Sequence, residues 1–380
     1  MRYGQDLRLL IVGGGIAGLT LAAALEQRGI GAEIVERAHG YGGVGYALSL
    51  WPAGLNVLNS LGLRAHLAGL GVRPDMYQAI DQRGRTLLEA NFGSFASQYG
   101  DNFYISRASL VDALRAAVSI PVAFGRSITH LHQAGDTVAV TFNDGSTGEY
   151  DAVLGADGLG SETRRLVFGD LPFAWHGVTG WAFWTNIDIG RDTREVYGRG
   201  LYMGFFPSRG RPCCFAAAAS PRSATDDPAT RRAHLESLFS SFPDWARSAL
   251  ATCTDPSIWH DDFLDIRLPR WTQGRVALVG DAAHAILPSA GVGASLAIES
   301  AYVLADELSR TSSIRIPEAL LRYEHRRRAR VDGVQSQSRQ LMWMIRPRNP
   351  LAVGIRNAVM RAVSPARFLS MFEPLMDSAI

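Results

Sequence analysis

Three clusters of glycines and acids are spaced to do chemistry. Gly13, Gly15 and Gly18 stand in Gly-x-Gly-x-x-Gly order at the head of GGGIAGLTLAAALEQRGI, and Glu36 follows 18 residues after the last of them. In such a loop Gly13 makes a tight turn, Gly15 lets backbone approach a pyrophosphate, and Gly18 allows close helix–strand packing. The following helix offers unpaired N–H groups and a positive dipole end to the anion. Glu36 is spaced to accept ribose hydroxyls. Taken alone, this loop fits NAD or FAD, and a plain glycine turn is the alternative. The second cluster, ADGLGSETRR, sets Asp157, Gly158, Ser161 and Arg164 just after an apolar strand. The third, LVGDAAHAILPSAGVGASLAIESA, sets Gly280, Asp281, His284, Pro288, Gly291 and Gly293 ahead of a helix.

With all three motifs present in this order, the chain resembles the class A flavoprotein monooxygenases, the family of para-hydroxybenzoate hydroxylase. The resemblance runs from the first strand through a long helix near residue 340. It implies an α/β fold: a Rossmann-like FAD-binding domain, a mixed β-sheet substrate domain and a helical C-terminus. It implies FAD as cofactor and NADH or NADPH as co-substrate. Asp281 would then hydrogen-bond the ribityl chain. Asp157 and Gly158 would sit near the pyrophosphate, with Asp157 also helping to dock NAD(P)H. Arg107, opening the SRASLVDAL helix, matches an arginine that contacts FAD in the family. Ala17, Val44 and Gly45 join the expected cofactor-binding set. Pro288 and the loop Gly291, Val292, Gly293 and Ala294 would lie beside the isoalloxazine. Pro288 and His284 are the candidates nearest the chemistry, His284 with a supporting structural role as its alternative.

A helix starting near Gly293 would aim its N–H groups at the flavin's pyrimidine edge, where negative charge collects on reduction, with a stabilisation of about 0.3–2 kcal/mol. The chain departs from the family's pattern at three places. Val292 stands where glutamine is frequent, Ser295 where asparagine is, and the acid that ends the motif is Glu299 followed by Ser300.

These residues need elements to hold them. LRLLIV (7–12) reads as a buried parallel strand, residues 16–25 as a helix and GAEIVER (31–37) as a second strand, which is a βαβ unit. A glycine-rich loop precedes an apolar helix from about Pro52 to Leu61. Residues 76–90 read as a hairpin turning at Arg83–Gly84, and 106–118 as a helix capped by Ser106. A three-stranded meander with turns at Ala134–Gly135 and Asp144–Gly145 leads into the strand DAVLGA. Residues 176–219 carry aromatic-rich strands, 228–250 are helical, and GRVALVG at 274–280 returns to a strand. Helices follow at about 293–310 and Pro317–Met344, then two short amphipathic helices broken by Pro365 and Pro374. The expected division is 1–75, 100–175 and 270–340 for the cofactor domain, 76–99 and 176–269 for the substrate domain, and 341–380 for the C-terminal helical segment.

Composition narrows the chemistry. The 380 residues are 47% hydrophobic and 19% charged, enough for a sizeable core, at about two to three domains. No lysine occurs, so all 38 basic residues are arginine. Schiff-base, P-loop and kinase chemistry are thereby excluded. A formal charge of +2 gives no electrostatic case for nucleic acid. Cys213, Cys214 and Cys253 form no disulfide or metal pattern and read as free thiols in a reducing compartment, for which the cytoplasm is the expected localisation. No signal peptide and no apolar run long enough to span a membrane is expected, and no metal site.

Trp181, Phe183, Trp184, Tyr202, Phe205, Phe206, Phe215 and Trp259 are candidates for a pocket wall, or for ordinary core. Alternation along strands lets about half of them face the cofactor. So much aromatic surface favours an apolar, aromatic substrate. Arg37 could meet a 2′-phosphate or the FAD adenosine, or be solvated. Arg326, Arg327, Arg328 and Arg330 read as a solvated face. The tail could lie on a membrane surface or pack on the substrate domain or a dimer partner.

The expected function is FAD-dependent hydroxylation of an apolar or phenolic ring with NAD(P)H and O2, through the flavin hydroperoxide that the family uses, in a monomer or homodimer. The alternatives are a reductase or halogenase of the same fold, the latter disfavoured by the missing lysine, and a non-catalytic flavin-binding redox sensor.

Overall fold

Leu9–Val12 is apolar at every position and buried on both faces, as a central parallel strand must be. In the computed structural model, which describes residues 7–42, 45–221 and 226–373, it lies inside a six-stranded sheet. Glu33–Glu36 and Ala152–Gly155 flank it in parallel, and Val122–Phe124 and Val276–Leu278 extend the sheet outward. Thr272–Gln273 adds an antiparallel edge. Helix Ile16–Glu26 is buried from Ala17 to Leu25, because it is covered by the sheet on one side and by helix Gly293–Ser309 on the other. The meander forms as expected from Ile128–Ala134, Thr137–Phe142 and Thr147–Tyr150.

A second, seven-stranded sheet is mixed. Trp259–Asp265, Ala174–Trp184, Cys213–Ala219, Leu201–Phe206 and Thr193–Tyr197 pair antiparallel in that spatial order. Thr193–Tyr197 then pairs in parallel with Met76–Asp81, whose hairpin partner Thr86–Asn91 forms the edge. The hairpin at 76–91 and the aromatic strands at 174–265 therefore share one sheet. Helices Arg231–Leu238 and Asp244–Arg247, followed by the 3₁₀ turn Ser248–Thr252, cover its outer face. The single helical run expected at 228–250 is thus three short pieces.

Two further readings are corrected. Ala47–Leu50 is a strand paired antiparallel with Phe103–Ser106, not loop. The arginine run at 326–330 is not a solvated face. Arg327 and Arg330 pair with Glu299 at 2.7 and 2.6 Å, Arg326 with Asp306 and Glu307, and Arg328 with Glu324. Helices Gly293–Ser309 and Ile316–Leu341 are thereby joined along an ionic seam. The tail forms Pro350–Ala362 and Pro365–Ser370, so Pro365 divides them as expected, while Pro374 lies outside the described residues. Among the described residues no helix is long and apolar enough to cross a membrane, and no group of His, Cys, Asp and Glu could hold a metal.

Candidate active site

The glycine loop is built by close approach. Gly13 takes φ +112°, where a Cβ would stand 2.4 Å from the Ala156 carbonyl oxygen, so the loop and the Ala156–Gly158 turn are pressed together. A Cβ on Gly18 would sit 1.9 Å from the Gly13 oxygen, but one on Gly15 would meet nothing within 4 Å. Packing thus demands Gly18, whereas Gly15 faces open space at the start of the helix. Ala17 lies against Gly280, bringing the first and third motifs together. Glu36 accepts the Gly14 N–H at 2.8 Å and the Ala38 N–H at 2.9 Å, one on each oxygen. Each oxygen keeps lone pairs for further donors. Arg37 is exposed, with its guanidinium about 4 Å from where a Cβ on Gly160 would stand. Val44 lies outside the described residues.

Asp157 is committed elsewhere. It accepts the Ser161 hydroxyl at 2.6 Å and both the Thr163 N–H and hydroxyl at 2.9 Å. It ties down the start of helix Glu162–Phe168 instead of reaching outward. Gly158, at φ +75°, has no neighbour where a Cβ would stand. Arg164 is buried and donates to the carbonyls of Leu159 and Ala282, linking the second motif to the third.

Asp281 behaves differently. Its side chain is reachable by solvent although protein encloses it, and this burial raises its pKa against the opposing pull of Arg107. It accepts no hydrogen bond from any described residue. Arg107 opens helix Arg107–Ala116 and donates its backbone N–H to the Tyr46 carbonyl at 2.8 Å. Tyr46 feels both Arg107 and Asp281 and packs against Trp259 at 5.2 Å between centroids. Gly45 faces the Trp184 indole nitrogen, with a Cβ there 3.6 Å away. Asp281, Arg107, Gly45, Tyr46, Trp184 and Trp259 therefore converge where the two sheets meet.

The third motif ends in the turn Pro288–Ala290, Gly291 and helix Gly293–Ser309. Pro288 and Gly291 are exposed, Gly293 and Ala294 half-buried, and Val292 buried. The helix has no side-chain N-cap and no acid in its first turn, so its leading N–H groups stay free for an acceptor. Trp51 fixes the turn: its indole donates to the Gly291 carbonyl and its backbone N–H to Ser295, each at 2.9 Å. Ser295 is buried against Gly54, where a Cβ would fall 2.8 Å from it, so this position has room only for a small side chain. Ser49 Oγ, buried beside Gly291, has no partner among the described residues.

His284 is set apart from this cleft. It is buried beside Trp271, contacts Ser300 Oγ at 3.1 Å, and burial with Arg327 nearby pushes its imidazole down to about 3. It stays neutral at working pH and supports the ionic seam. Glu299, paired with Arg327 and Arg330, belongs to the same seam.

The aromatics divide by strand parity. Trp184, Tyr202, Phe206, Phe215 and Trp259 occupy the face turned toward the six-stranded sheet. Trp181, Phe183 and Phe205 point to the outer face and pack with Leu235, Phe239 and Trp245. Trp181 and Phe205 are thereby separated from the cleft; Trp181 donates its indole N–H to Asp226. Tyr202 is on the inner face, but its hydroxyl is taken. Together with Tyr77 and Tyr197 it donates to the buried carboxylate of Glu195, at 2.8, 2.6 and 2.5 Å. Burial raises the pKa of Glu195 and of all three phenols. Sequence reading missed Glu195 and Tyr46. The alternation of Thr193, Glu195 and Tyr197 was the available signal for the first.

The sequence profile of the FAD binding domain matches residues 6–338. The chain belongs to the FAD-binding family of class A flavoprotein monooxygenases. Within this family it is 32% identical to 3-amino-4-hydroxybenzoate 2-monooxygenase of Streptomyces cremeus over 89% of this chain and 87% of that one. It is 30% identical to salicylate hydroxylase of Pseudomonas putida, over 98% and 93%. The crystal structure of Klebsiella pneumoniae HpxO complexed with FAD and uric acid matches it with a TM-score of 0.90 at 26% identity, over 99% of this chain and 98% of that one. The residues present fit the family's cofactor. Gly15 faces open space, the helix at Gly293 begins without a side-chain cap, and Asp281 offers a carboxylate that accepts no hydrogen bond among the described residues.

Proposed function

We propose that the protein is an FAD-dependent monooxygenase that uses NAD(P)H and O2 to hydroxylate an apolar or phenolic aromatic compound. The observation that carries this reading is the Asp281 carboxylate, which accepts no hydrogen bond among the described residues, set with Arg107 and Tyr46 near Trp184 and Trp259. Bound FAD supplies the activation of O2 with electrons from NAD(P)H.

The chain's own residues position and shield. The uncapped amides at the start of helix Ile16–Glu26 hold the diphosphate, and Glu36 takes the adenosine ribose. Asp281 accepts from the ribityl hydroxyls, while Arg107 offsets its charge. The free N–H groups at Gly293 and Ala294 stabilise negative charge at the pyrimidine edge of the ring. Trp184, Trp259, Phe215 and Tyr46 give the ring-shaped substrate an apolar wall and exclude water. His284 takes no part in proton transfer, being buried away from the cleft and neutral.

The test is isolation of the protein with FAD and measurement of NAD(P)H oxidation with salicylate, 3-amino-4-hydroxybenzoate and urate. A hydroxylated product carrying one atom from labelled dioxygen is expected. A colourless protein that takes up no FAD, or no aromatic-stimulated oxidation across the panel, overturns the reading.

A further inference from the structure

The C-terminal helix Pro350–Ala362 is packed inside out. Its outward face is Leu351, Gly354, Ile355, Ala358, Val359 and Ala362, a continuous i, i+3, i+4, i+7 stripe with no charged member. Leu351 is 73% exposed, Ile355 57% and Val359 45%. Its inward face carries Arg356, Asn357 and Met360. Arg356 donates to the Gly198 carbonyl at 2.8 Å and the Met344 carbonyl at 3.0 Å, bonds Asn357, and lies over the Tyr197 ring. Rolling the helix to hide its apolar stripe would break these buried hydrogen bonds, so the orientation is locked from within.

The surroundings of the stripe are cationic. Residues 341–373 hold Arg346, Arg348, Arg356, Arg361 and Arg367 against Glu373 alone, and all but Arg356 of these arginines are exposed. The helix rests on edge strand Thr86–Asn91, whose turn adds exposed Arg83 and Arg85. The buried Asp81 is shared by Arg85 and Arg361, so one acid serves two cations.

We propose that this face docks on an anionic lipid bilayer surface, with Leu351, Ile355 and Val359 entering the headgroup boundary and the arginines meeting lipid phosphates. Charge complementarity selects this occupant. A two-fold contact between copies would set the same arginine-flanked patch against itself, like charge facing like. A bilayer carrying anionic lipid accepts the apolar stripe and the arginines together. The proposal is independent of the substrate chemistry and makes the protein peripheral.

The test is co-sedimentation of the full-length holoprotein with vesicles of phosphatidylcholine alone and of equimolar phosphatidylcholine and phosphatidylglycerol. Binding is expected only to the second, and it should fall with added salt. Leu351→Ser/Ile355→Ser should weaken it at least tenfold, and Arg346→Gln/Arg367→Gln by about fivefold per arginine, on the scale of cationic residues near a charged surface. Both variants should keep the wild-type flavin spectrum, which separates lost docking from lost fold. Absence of binding to the anionic vesicles overturns the proposal, as does equal binding to both vesicle types. So does a dimer, seen by sedimentation velocity without lipid, that Leu351→Ser/Ile355→Ser dissociates.

Discussion

Replacing Asp281 by asparagine separates its two energetic roles. In the protein without cofactor, the carboxylate accepts no hydrogen bond from the described residues, and burial raises its pKa despite Arg107. A carboxyl whose folded pKa lies above its unfolded value stabilises the fold only below the unfolded pKa, and that contribution is lost as pH rises through the folded value. At neutral pH the charge therefore costs the apoprotein stability, and Asp281→Asn should leave its melting temperature unchanged or raised. Cofactor binding responds in the opposite direction. A hydrogen bond to a charged acceptor contributes about 1.5–3 kcal/mol, and asparagine retains one neutral acceptor oxygen. Loss of one such bond weakens FAD binding by about ten- to 150-fold, at about 1.4 kcal/mol per decade. Wild-type affinity should also fall as pH drops through the raised Asp281 pKa, a dependence the variant lacks. Quenching of FAD fluorescence on titration with apoprotein reads both effects. Affinity within twofold of wild type, in a variant that remains folded, would refute the assignment of Asp281 to the cofactor.

The glycine loop gives a paired expectation: Gly18→Ala drives a Cβ to 1.9 Å from the Gly13 oxygen and should abolish soluble folded protein, whereas Gly15→Ala should melt like wild type yet bind FAD at least tenfold more weakly. Thermal melts and flavin titration distinguish the two. Trp184→Ala should raise KM for an aromatic substrate about two- to tenfold, on the scale of one aromatic pair. Trp181→Ala should leave KM alone and cost about 3–5 kcal/mol in urea unfolding, as a buried outer-face side chain. His284, with its imidazole down at about 3 against 6.5 when unfolded, should cost the wild type stability as pH falls through that window. The slope is up to about 1.4 kcal/mol per pH unit, because only the unfolded state takes up the proton. His284→Asn should remove that slope and leave the pH–rate profile unmoved.

Local signals in the sequence were strong where one element decides the outcome. The strand LLIV, the glycine loop, the hairpin at Arg83–Gly84 and the meander at Gly135 and Gly145 follow from period and turn chemistry within a few residues. Alternation along a strand gives two faces but no rule for which one is inside. Trp181 and Trp184 therefore looked equivalent until pairing with Cys213–Ala219 and Trp259–Asp265 fixed the parity. The strand Ala47–Leu50 was hidden because its partner Phe103–Ser106 is distant in sequence and glycines precede it. The arginine run looked solvated because its acids, Glu299, Asp306 and Glu307, belong to another helix.

That seam bears on why the chain tolerates its departures around the flavin. Helix Gly293–Ser309 must hold its first turn steady, for only a fixed dipole stabilises charge without reorganising. Valine at 292 and serine at 295 forgo longer polar side chains there, so placement of the helix falls to contacts along its length. Trp51 pins the start through Gly291 and Ser295, and Gly54 admits the close approach that this requires. Farther along, Glu299 binds Arg327, which is 1% exposed, and Ser300 meets both Arg327 and His284. A buried ion pair is a poor source of net stability, but it is costly to break, because either charge left alone stays desolvated. Such a pair resists sliding or rotation of one helix on the other more strongly than apolar contacts of equal area. In this chain Glu299 therefore serves the clamp between the two helices, which holds the first turn in place from farther along the helix.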